Sequence, residues 1–285
     1  MARRHVSLSL RERVRLALEE DRAFDDVTTR LTVEPSQEAR GILMAKARGV
    51  VAGMEAFKAV FGVVDKTVKI AAVAGDGDRV RPGQTVARVH GPLGSILRGE
   101  RVALNLVCHL SGVATLTAAC VAAARGTRAR IMDTRKTTPL WRDLERQAVL
   151  AGGGTSHRRD LADMILVKDN HVDANGGIAP TLAKVFRRRP PRRVLVEVRS
   201  LDELRAALEF PVDAVLLDNM RRPQIAKAVE IIAGRAEAEV SGGIGPRDIR
   251  PLARLGVDRI SMGRLTHSAP ALDFSLKVAP TPRRP

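Results

Sequence analysis

The chain has 285 residues, a formal net charge of +16, 45% hydrophobic residues and only 2% aromatic residues. The charge favours anionic partners such as nucleic acid, anionic lipid or phosphorylated and carboxylated metabolites, but so few rings argue against a platform that stacks single-stranded bases. The chain has two cysteines without a metal-binding cluster, no apolar run of the roughly 18 residues that span a membrane, and no uninterrupted apolar segment at its N-terminus. We therefore expect a soluble cytoplasmic protein of one or two domains.

The first part of the chain predicts a mixed α/β domain with antiparallel strands. An amphipathic pattern indicates a helix over residues 7–21, and Ser7 or Ser9 can cap its start. Strand patterns punctuated by glycine turns follow over residues 39–51 and 67–90. This domain shows little obvious chemistry.

Residues 96–124 predict a long, mostly apolar helix that is buried between layers or at a subunit contact. Arg101 is one of its few polar residues. A buried arginine needs an acidic partner or a ligand, so a structural salt bridge and a binding role both remain open. Cys108 and Cys120 also lie on this helix, too far apart for a disulfide within it.

From residue 129 onward, short apolar runs alternate with helical patterns. The runs start about 20 to 35 residues apart, which is the βα rhythm of a parallel sheet or barrel. Because the carboxyl ends of the strands of a barrel meet at one mouth, we expect the polar residues that follow these runs to form the site. The runs cover residues 129–133, 163–168, 194–198, 213–218, 237–241 and 257–262.

Cationic and imidazole side chains cluster where the first two of these runs end. Arg135 and Lys136 follow the first run, and Lys168 follows the second. Between them, a glycine-rich turn is followed by His157 and Arg158. This grouping indicates a pocket for an anion, although each residue alone is equally compatible with a solvated surface.

The later strand ends carry small residues and carboxylates. Residues 241–245 (SGGIG) and 261–264 (SMGR) let backbone N–H groups approach a ligand, and barrels commonly hold a phosphate at such loops. His267 either adds a donor there or simply starts a helix. Glu197 and Asp218 fit three roles: binding Mg²⁺ through water, accepting hydrogen bonds from sugar hydroxyls, or neutralising nearby cations.

These residues resemble one family, quinolinate phosphoribosyltransferase, which is also called carboxylating nicotinate-nucleotide diphosphorylase. The resemblance extends nearly from end to end, and DTRKT together with KDNH at this spacing is its most specific part. The matching segments are DDVTT (25–29), ERVALNLVCHLSGVAT (100–115), DTRKTTP (133–139), LERQAVLAGGGTSHR (144–158), LADMILVKDNH (161–171), VEV (196–198), LLDN (216–219), SGGI (241–244) and GVDRISMGRLTHSAPALDFSL (256–276).

The resemblance implies the α/β fold of type II phosphoribosyltransferases, in which an N-terminal α/β sandwich domain accompanies an incomplete, seven-stranded α/β barrel. We place the sandwich at residues 1–115 and the catalytic barrel at residues 116–270. A strand over residues 271–280 is expected to return to the first domain, before a disordered C-terminal tail. The resemblance also implies a homodimer or a higher assembly with shared active sites.

The implied reaction joins quinolinate to phosphoribosyl pyrophosphate with Mg²⁺ and releases nicotinate mononucleotide, pyrophosphate and carbon dioxide. Quinolinate is a dianion and phosphoribosyl pyrophosphate is a polyanion, so a cationic cavity is required to hold both. Neither nucleic acid nor a membrane is expected as a partner.

By resemblance, Arg135, His157 and Arg158 bind the two carboxylates of quinolinate. Arg101 is expected from the neighbouring subunit. His171, although it lies at a strand end, is better interpreted as a structural residue.

The resemblance also assigns catalytic roles to Lys136, Lys168, Glu197 and Asp218. The two lysines are expected near the reacting centre, whereas the two carboxylates are expected to engage the ribose hydroxyls and, through the substrate, Mg²⁺. Further substrate contacts are expected at Thr134 and His267 and, for the 5′-phosphate, at Ser241, Gly242, Gly243 and Gly263.

The sequence departs from the family pattern at five positions. Ser156 stands where asparagine is usual, and Leu140 and Trp141 stand where glycine and leucine are usual. Arg199 replaces a commonly acidic residue, and because residues i and i+2 share a strand face it could reach the carboxylate two positions earlier. Arg264 replaces a small residue. With Leu140 and Trp141, it could reshape the pocket and affect the choice of pyridine substrate.

Two other functions remain as alternatives. One is a paralogous phosphoribosyltransferase for another aromatic acid, including the molybdenum-transport-associated relatives, against which the intact KDNH segment argues. The other is a basic nucleic-acid-binding protein. Much of the arginine excess is scattered, with one run at residues 187–189, so a clustered basic surface is not indicated.

Overall fold

The structure is a computed structural model in which residues 8–189 and 191–281 are described. The chain forms two units. The first comprises the described residues of Met1–Leu116, Thr138–Gly153 and Ala269–Pro285, and the second comprises those of Thr117–Thr137 and Gly154–Ser268. The change of unit after Leu116 lies next to the expected boundary. Residues 138–153, which we expected in the barrel, instead go with the first unit.

The described part of the chain contains helices and strands in the following order. The helices are α1 (Leu10–Glu20), α2 (Val27–Thr32), α3 (Met54–Val64), α4 (Leu93–Ala124), α5 (Arg142–Ala151), α6 (Asp169–Asp173), α7 (Ile178–Arg187), α8 (Leu201–Ala207), α9 (Arg222–Ile232), α10 (Ile249–Ala253) and α11 (Arg264–His267). The strands are β1 (Glu38–Ala45), β2 (Gly49–Val50), β3 (Lys69–Ala72), β4 (Arg79–Val80), β5 (Thr85–Pro92), β6 (Arg130–Met132), β7 (Ile165–Val167), β8 (Val194–Val198), β9 (Ala214–Asp218), β10 (Glu237–Ser241), β11 (Arg259–Ser261) and β12 (Phe274–Pro280).

The first unit is built on an antiparallel sheet with the strand order β12–β1–β5–β3. Strand β1 pairs with β5 on one side and with β12 on the other, so the C-terminal strand returns to this sheet. Buried and exposed residues alternate along most of β1, which places one face of the sheet on a core. Leu18 of α1 and Phe61 of α3 are fully buried in that core. Strand β12 ends at Pro280, where the strand was expected to end, and residues 282–285 of the expected tail lie outside the described part.

Local signals set the starts of the first two helices. The Ser9 hydroxyl accepts a hydrogen bond from the Glu12 N–H, and the Glu12 carboxylate accepts one from the Ser9 N–H at 2.7 Å. Ser9 is therefore a cap of α1, whereas the other candidate, Ser7, lies outside the described residues. Asp26 caps α2 by accepting the Thr29 N–H at 3.0 Å, so the acidic and hydroxyl residues after α1 begin a new helix.

The second unit contains a sheet of six parallel strands in the order β6–β11–β10–β9–β8–β7. These strands occupy the six apolar runs that the sequence predicts. The barrel was expected to have seven strands. Within the described residues, a single parallel bridge between Met132 and Thr155 stands beside β6 in place of the seventh. Because all six strands are parallel, their carboxyl ends lie along the same edge.

We expected no segment long and apolar enough to span a membrane, but helix α4 is such a segment. It has 32 residues and contains an 18-residue window of mean hydropathy 1.8, so by length and composition alone it could cross a membrane. A core helix has the same properties, and 44% of that window is buried inside the structure. Both cysteines on this helix are free thiols. Cys108 is half-buried, whereas burial raises the pKa of the Cys120 thiol to about 11.

Candidate active site

A cavity of about 700 Å³ opens at the carboxyl ends of the six parallel strands. The residues that the sequence predicts for the substrate site line this cavity, except Arg101, which is an exposed residue of α4 in the first unit. The parallel strand order brings together segments that are far apart in the chain. The predicted residues that line the cavity are Thr134, Arg135, Lys136, His157, Arg158, Lys168, Glu197, Asp218, Ser241, Gly242, Gly243, Gly263 and His267.

Three cations of the cavity have no carboxylate partner in the part of the chain that the structure describes. Arg135, Lys136 and Arg158 form no ion pair with any of the described residues. Arg158 is only 7% exposed, and burial lowers the pKa of its guanidinium, with repulsion from Arg135 lowering it further. A bound anion would relieve the repulsion between these two groups. This part of the cavity is therefore suited to a ligand with more than one negative charge.

A different arrangement of charge lies at the ends of β7, β8 and β9. The Lys168 ammonium forms an ion pair with the Glu197 carboxylate at 3.0 Å, and Glu197 is only 7% exposed. Asp218 is half-buried and accepts a hydrogen bond from the Asn219 side-chain amide at 2.6 Å. Here the protein supplies both signs of charge, which suits a polar, hydroxylated group better than a simple anion.

The two late glycine loops are held close to neighbouring strand ends. Gly242 has φ +103°, and a Cβ atom placed there would lie 2.1 Å from the Asn219 side-chain oxygen. A Cβ at Gly263 would lie 2.7 Å from the Lys136 side chain. The Thr266 hydroxyl also donates to the Lys136 carbonyl at 2.7 Å, which ties the β6 loop to the segment after β11. Only glycine fits at these two positions without displacing a neighbour.

Sequence reasoning missed one buried carboxylate in the wall of the cavity. Glu239 of β10 is 1% exposed and lies between the His157 imidazole, 3.1 Å away, and the Ser261 hydroxyl, which donates to it. A signal was available, because strand alternation places Glu239 on the same face as Ser241, which we had assigned to the site. We did not single out Glu239 from the sequence, because we looked for site residues where the strands end and Glu239 lies within β10.

The two histidines of the predicted stretch have different environments. The Arg158 backbone N–H donates to His157 Nδ1 at 2.7 Å, and since an N–H can only donate, Nδ1 carries no proton and Nε2 does. Nε2 faces Glu239, so both ring nitrogens are engaged within the protein. His171 is exposed, does not line the cavity and accepts the Lys168 backbone N–H at 3.0 Å, which fits the structural role expected for it.

Leu140 and Trp141, which we expected to reshape the pocket, belong to the first unit and do not line the cavity. Leu140 has φ +66°, in the left-handed region that favours glycine, which accounts for the glycine usual at this position. Arg13 donates to the Leu140 carbonyl at 2.5 Å, and its guanidinium lies 5.3 Å from the centre of the Trp141 ring. These two departures therefore concern the stability of a loop.

Arg199 does not act on Glu197, contrary to our expectation. Strand β8 ends at Val198, so alternation no longer fixes the direction of the next side chain. Arg199 instead pairs with Glu203 at 2.8 Å and with Asp173 at 2.9 Å, and these partners raise its pKa.

The remaining two departures have different outcomes. Arg264 lines the cavity, so it remains a candidate for affecting the substrate. The Ser156 hydroxyl is buried and has no hydrogen-bond partner among the described residues, and nothing in the structure explains its presence in place of asparagine.

The carboxylates of the cavity are suited to a divalent cation that the substrate phosphates also bind, and not to a metal site made by the protein alone. Among the described residues, no group of three or more histidine, cysteine, aspartate or glutamate side chains is arranged to hold a metal ion. Glu197 is already paired with Lys168. Mg²⁺ commonly keeps several waters and binds one or two carboxylates together with substrate phosphates, and Glu197 with Asp218 can serve in that mode.

Comparison with known proteins gives consistent matches over both units. A family model described as the C-terminal domain of quinolinate phosphoribosyl transferase matches residues 113–277, and one described as its N-terminal domain matches residues 26–111. The chain is 40% identical to a nicotinate-nucleotide pyrophosphorylase (carboxylating) of Mycobacterium leprae, over 93% of this chain and 96% of that protein. It is 37% identical to a mitochondrial quinolinate phosphoribosyltransferase (decarboxylating) of Nicotiana glauca, over 96% of this chain and 83% of that protein. The crystal structure of NadC from Streptococcus pyogenes matches with a TM-score of 0.91 and 39% identity, covering 98% of this chain and all of that one.

Proposed function

Because the chain belongs to the quinolinate phosphoribosyltransferase family, we propose that it transfers the phosphoribosyl group of phosphoribosyl pyrophosphate to quinolinate. The reaction gives nicotinate mononucleotide, pyrophosphate and carbon dioxide, and so leads from quinolinate towards NAD. The observation that carries the proposal is the cavity in which Arg135, Lys136 and Arg158 have no carboxylate partner among the described residues. A dicarboxylate and a polyphosphate are ligands that such a cavity accommodates.

The quinolinate carboxylates are proposed to bind Arg135 and Arg158, with His157 beside them. Each charge-assisted hydrogen bond contributes about 1.5–3 kcal/mol. Both guanidiniums carry a charge that the described protein leaves without an ion pair, so binding the substrate breaks no existing one. Arg101 of a second subunit is proposed to complete this half of the site.

The ribose and the reacting carbon are proposed to lie against Lys136, Lys168, Glu197 and Asp218. The carboxylates accept hydrogen bonds from the ribose hydroxyls and stabilise positive charge that develops at the anomeric carbon as pyrophosphate leaves. Lys168 balances the charge of Glu197 through their ion pair at 3.0 Å, and it is proposed to bind the departing phosphate oxygens. Lys136 adds a second cation for the carboxylate and the pyrophosphate.

The 5′-phosphate is proposed to bind at the two late loops, through Ser241, Gly242, Gly243 and Gly263. The glycines of these loops carry no side chain, so the proposed donors to the phosphate are backbone N–H groups. Further contacts are proposed for Thr134 and His267, which line the same cavity.

Mg²⁺ is proposed to arrive with phosphoribosyl pyrophosphate, with Glu197 and Asp218 as the residues that would hold it, directly or through water. When bound, it supplies positive charge to the pyrophosphate leaving group. No separate organic cofactor is required. Once the new N-glycosidic bond forms, the pyridine ring is cationic and accepts the electron pair released when the C2 carboxylate departs as carbon dioxide. A proton then takes the place of that carboxylate.

The wider setting is also proposed from the resemblance. The functional assembly is proposed to be a homodimer in which each active site receives Arg101 from its partner. The protein is proposed to work in the cytoplasm, with these two metabolites and without nucleic acid or a membrane as partners. The excess positive charge then serves to attract anionic substrates.

The direct test incubates the purified protein with quinolinate, phosphoribosyl pyrophosphate and Mg²⁺. Nicotinate mononucleotide and carbon dioxide should appear in equal amounts, and omitting quinolinate should abolish both. Release of pyrophosphate only when nicotinate or another aromatic acid replaces quinolinate would overturn the proposal and favour a paralogous transferase.

A further inference from the structure

We propose that Glu239 is a positioning residue that acts through His157. It sets the geometry of the quinolinate clamp, by which we mean Arg135 and Arg158, the two arginines proposed to bind the quinolinate carboxylates. Its carboxylate fixes the imidazole, and the imidazole in turn fixes the backbone from which the Arg158 side chain extends. The proposal rests on the proposed function, since it concerns the same substrate, but it is carried by contacts that do not depend on any ligand.

The first contact is a close approach between two polar side chains of the cavity wall. Glu239 is 1% exposed, and its Oε1 lies 3.1 Å from His157 Nε2. The Ser261 hydroxyl donates to the same oxygen. These two neighbours of one carboxylate oxygen restrict the rotation of the imidazole, because a rotation would move Nε2 away from a buried negative charge.

The second contact connects the imidazole to the clamp. The Arg158 backbone N–H donates to His157 Nδ1 at 2.7 Å, and the His157 backbone N–H donates to the buried Asp133 carboxylate at 2.6 Å. The backbone N–H groups of His157 and Arg158 therefore both donate to side chains. Arg158 itself is 7% exposed, so a displacement of this backbone would move its guanidinium relative to Arg135.

These contacts also fix the proton on the imidazole. Because Nδ1 accepts an N–H, the ring proton lies on Nε2, which faces Glu239 Oε1 at 3.1 Å. His157 therefore has no N–H left for a substrate carboxylate in this arrangement. Its contribution to quinolinate binding passes through Arg158 and not through its own charge.

The carboxylate of Glu239 does not place an uncompensated negative charge near a dianionic substrate. Its second oxygen, Oε2, accepts no hydrogen bond from the described residues but lies 3.7 Å from Arg259 Nη1. Arg259 is 4% exposed and is also paired with Glu237. Arg259 thus balances the charge of Glu239, while Oε1 accepts the hydrogen bond from Ser261.

The test replaces Glu239 in two ways. Glu239→Leu keeps the approximate volume and removes the acceptor, whereas Glu239→Gln keeps one acceptor oxygen and removes the charge. We expect the KM for quinolinate to rise at least tenfold in E239L and by less in E239Q, with the KM for phosphoribosyl pyrophosphate within twofold of the wild-type value in both. Glu230→Gln is the matched control and should change neither constant, because the ion-pair partner of Glu230 among the described residues is Lys227 on α9.

A double-substitution cycle separates action through His157 from independent action. In a His157→Ala background, replacing Glu239 should cause no additional rise in the KM for quinolinate. Additive losses, or equal rises in both KM values, would overturn the proposal. If E239L does not fold, E239Q decides by the same comparison of the two constants.

A spectroscopic measurement tests the inference without any turnover. The ¹⁵N spectrum of the ring of His157, assigned by its loss in His157→Ala, should show an unprotonated Nδ1 and a protonated Nε2 at neutral pH. A doubly protonated ring would contradict the assignment. A wild-type protein that makes no nicotinate mononucleotide would overturn the proposed function alone, whereas normal quinolinate binding by E239L would overturn only the role of Glu239.

Discussion

At the scale of single residues, the cations of the cavity differ in whether the protein already satisfies them. Lys168 has a carboxylate partner at 3.0 Å, whereas Arg135 and Arg158 have none within the described ranges 8–189 and 191–281. A charge that the fold leaves without a partner is available for a ligand, and its loss costs binding rather than folding. The residue types do not make this distinction, because all three side chains are cationic.

Arg135→Ala should therefore weaken quinolinate binding and leave the protein folded. Arg135 is exposed, and we expect the KM for quinolinate to rise roughly 10- to 150-fold, as the loss of one charge-assisted hydrogen bond of about 1.5–3 kcal/mol predicts. Steady-state kinetics measures the constant, and the melting temperature should stay within about 2 °C of the wild-type value, because surface substitutions usually change stability little. Arg205→Ala, which removes an exposed arginine of α8, is the control. Unchanged quinolinate affinity would remove Arg135 from the clamp.

At the scale of elements, the loop before α5 shows how one chain accommodates an unusual residue. Leu140 is 66% exposed and adopts φ +66°, a conformation that costs a residue with a Cβ about 1–2 kcal/mol. Arg13 of α1 offsets part of this cost through its hydrogen bond to the Leu140 carbonyl and its position over the Trp141 ring. The two departures at 140 and 141 and the arginine of α1 thus form one local arrangement.

Leu140→Gly should stabilise the protein by a few tenths to about 1 kcal/mol, because the relief of backbone strain exceeds the entropy gained by the unfolded chain. Urea unfolding followed by circular dichroism measures the difference, and activity should not change. Leu161→Gly is the matched control, since Leu161 is 71% exposed and does not have a positive φ. The control should be neutral or destabilising, and the same result for Leu140→Gly would show that this loop is not strained.

The pairing of α1 with α5 predicts a dependence of stability on pH. Two hydrogen bonds from Arg13, at 2.5 and 2.7 Å, hold the pKa of the Asp143 carboxyl below its ordinary value of 3.8. The ionised carboxylate is thus favoured in the folded state, so its stabilisation is present above pH 3.8 and is lost as the pH falls through the lowered folded pKa.

Asp143→Asn should accordingly lower the free energy of unfolding by about 1 kcal/mol at pH 7, a modest value because the carboxylate is 55% exposed. At pH 3 and below, the gap between the variant and the wild type should narrow. Urea unfolding at both pH values measures it, with Asp202→Asn on the surface of α8 as the control. A gap that is constant over this range would show that the ion pair is not its source.

At the scale of the whole molecule, the family matches extend through both units, residues 26–111 and 113–277. The cavity lies in the second unit, and Arg101, the one predicted substrate contact that does not line it, belongs to the first. The resemblance implies that Arg101 reaches the cavity from a second copy of the chain. This role stays a prediction, and it belongs to the assembly rather than to the single chain.

Mixing two inactive variants tests the shared site. Arg101→Ala and Lys168→Ala subunits should each be nearly inactive alone. If they exchange at random, half of the dimers are mixed and each mixed dimer carries one intact site, so about a quarter of the wild-type activity should return. Native mass spectrometry establishes that mixed dimers have formed. No recovery in their presence would place Arg101 outside the neighbouring site.

The sequence by itself determined the fold class and most of the cavity. Alternating apolar runs and helical patterns follow from local backbone geometry. Because parallel strands end at the same edge of a sheet, the sequence alone predicts that Arg135, Lys168 and Asp218 lie close together. Family resemblance then assigned a chemistry to those strand ends.

Only the tertiary structure decided how the charges are paired. Periodicity did not show that Arg199 pairs with Asp173 and Glu203, that Leu140 lies away from the cavity, or that Glu239 faces His157. The reason is physical: strand and helix patterns depend on neighbours along the chain, whereas an ion pair or a hydrogen bond depends on distances of about 3 Å between residues far apart in sequence. Those distances are set when the strands pair in register and the side chains pack.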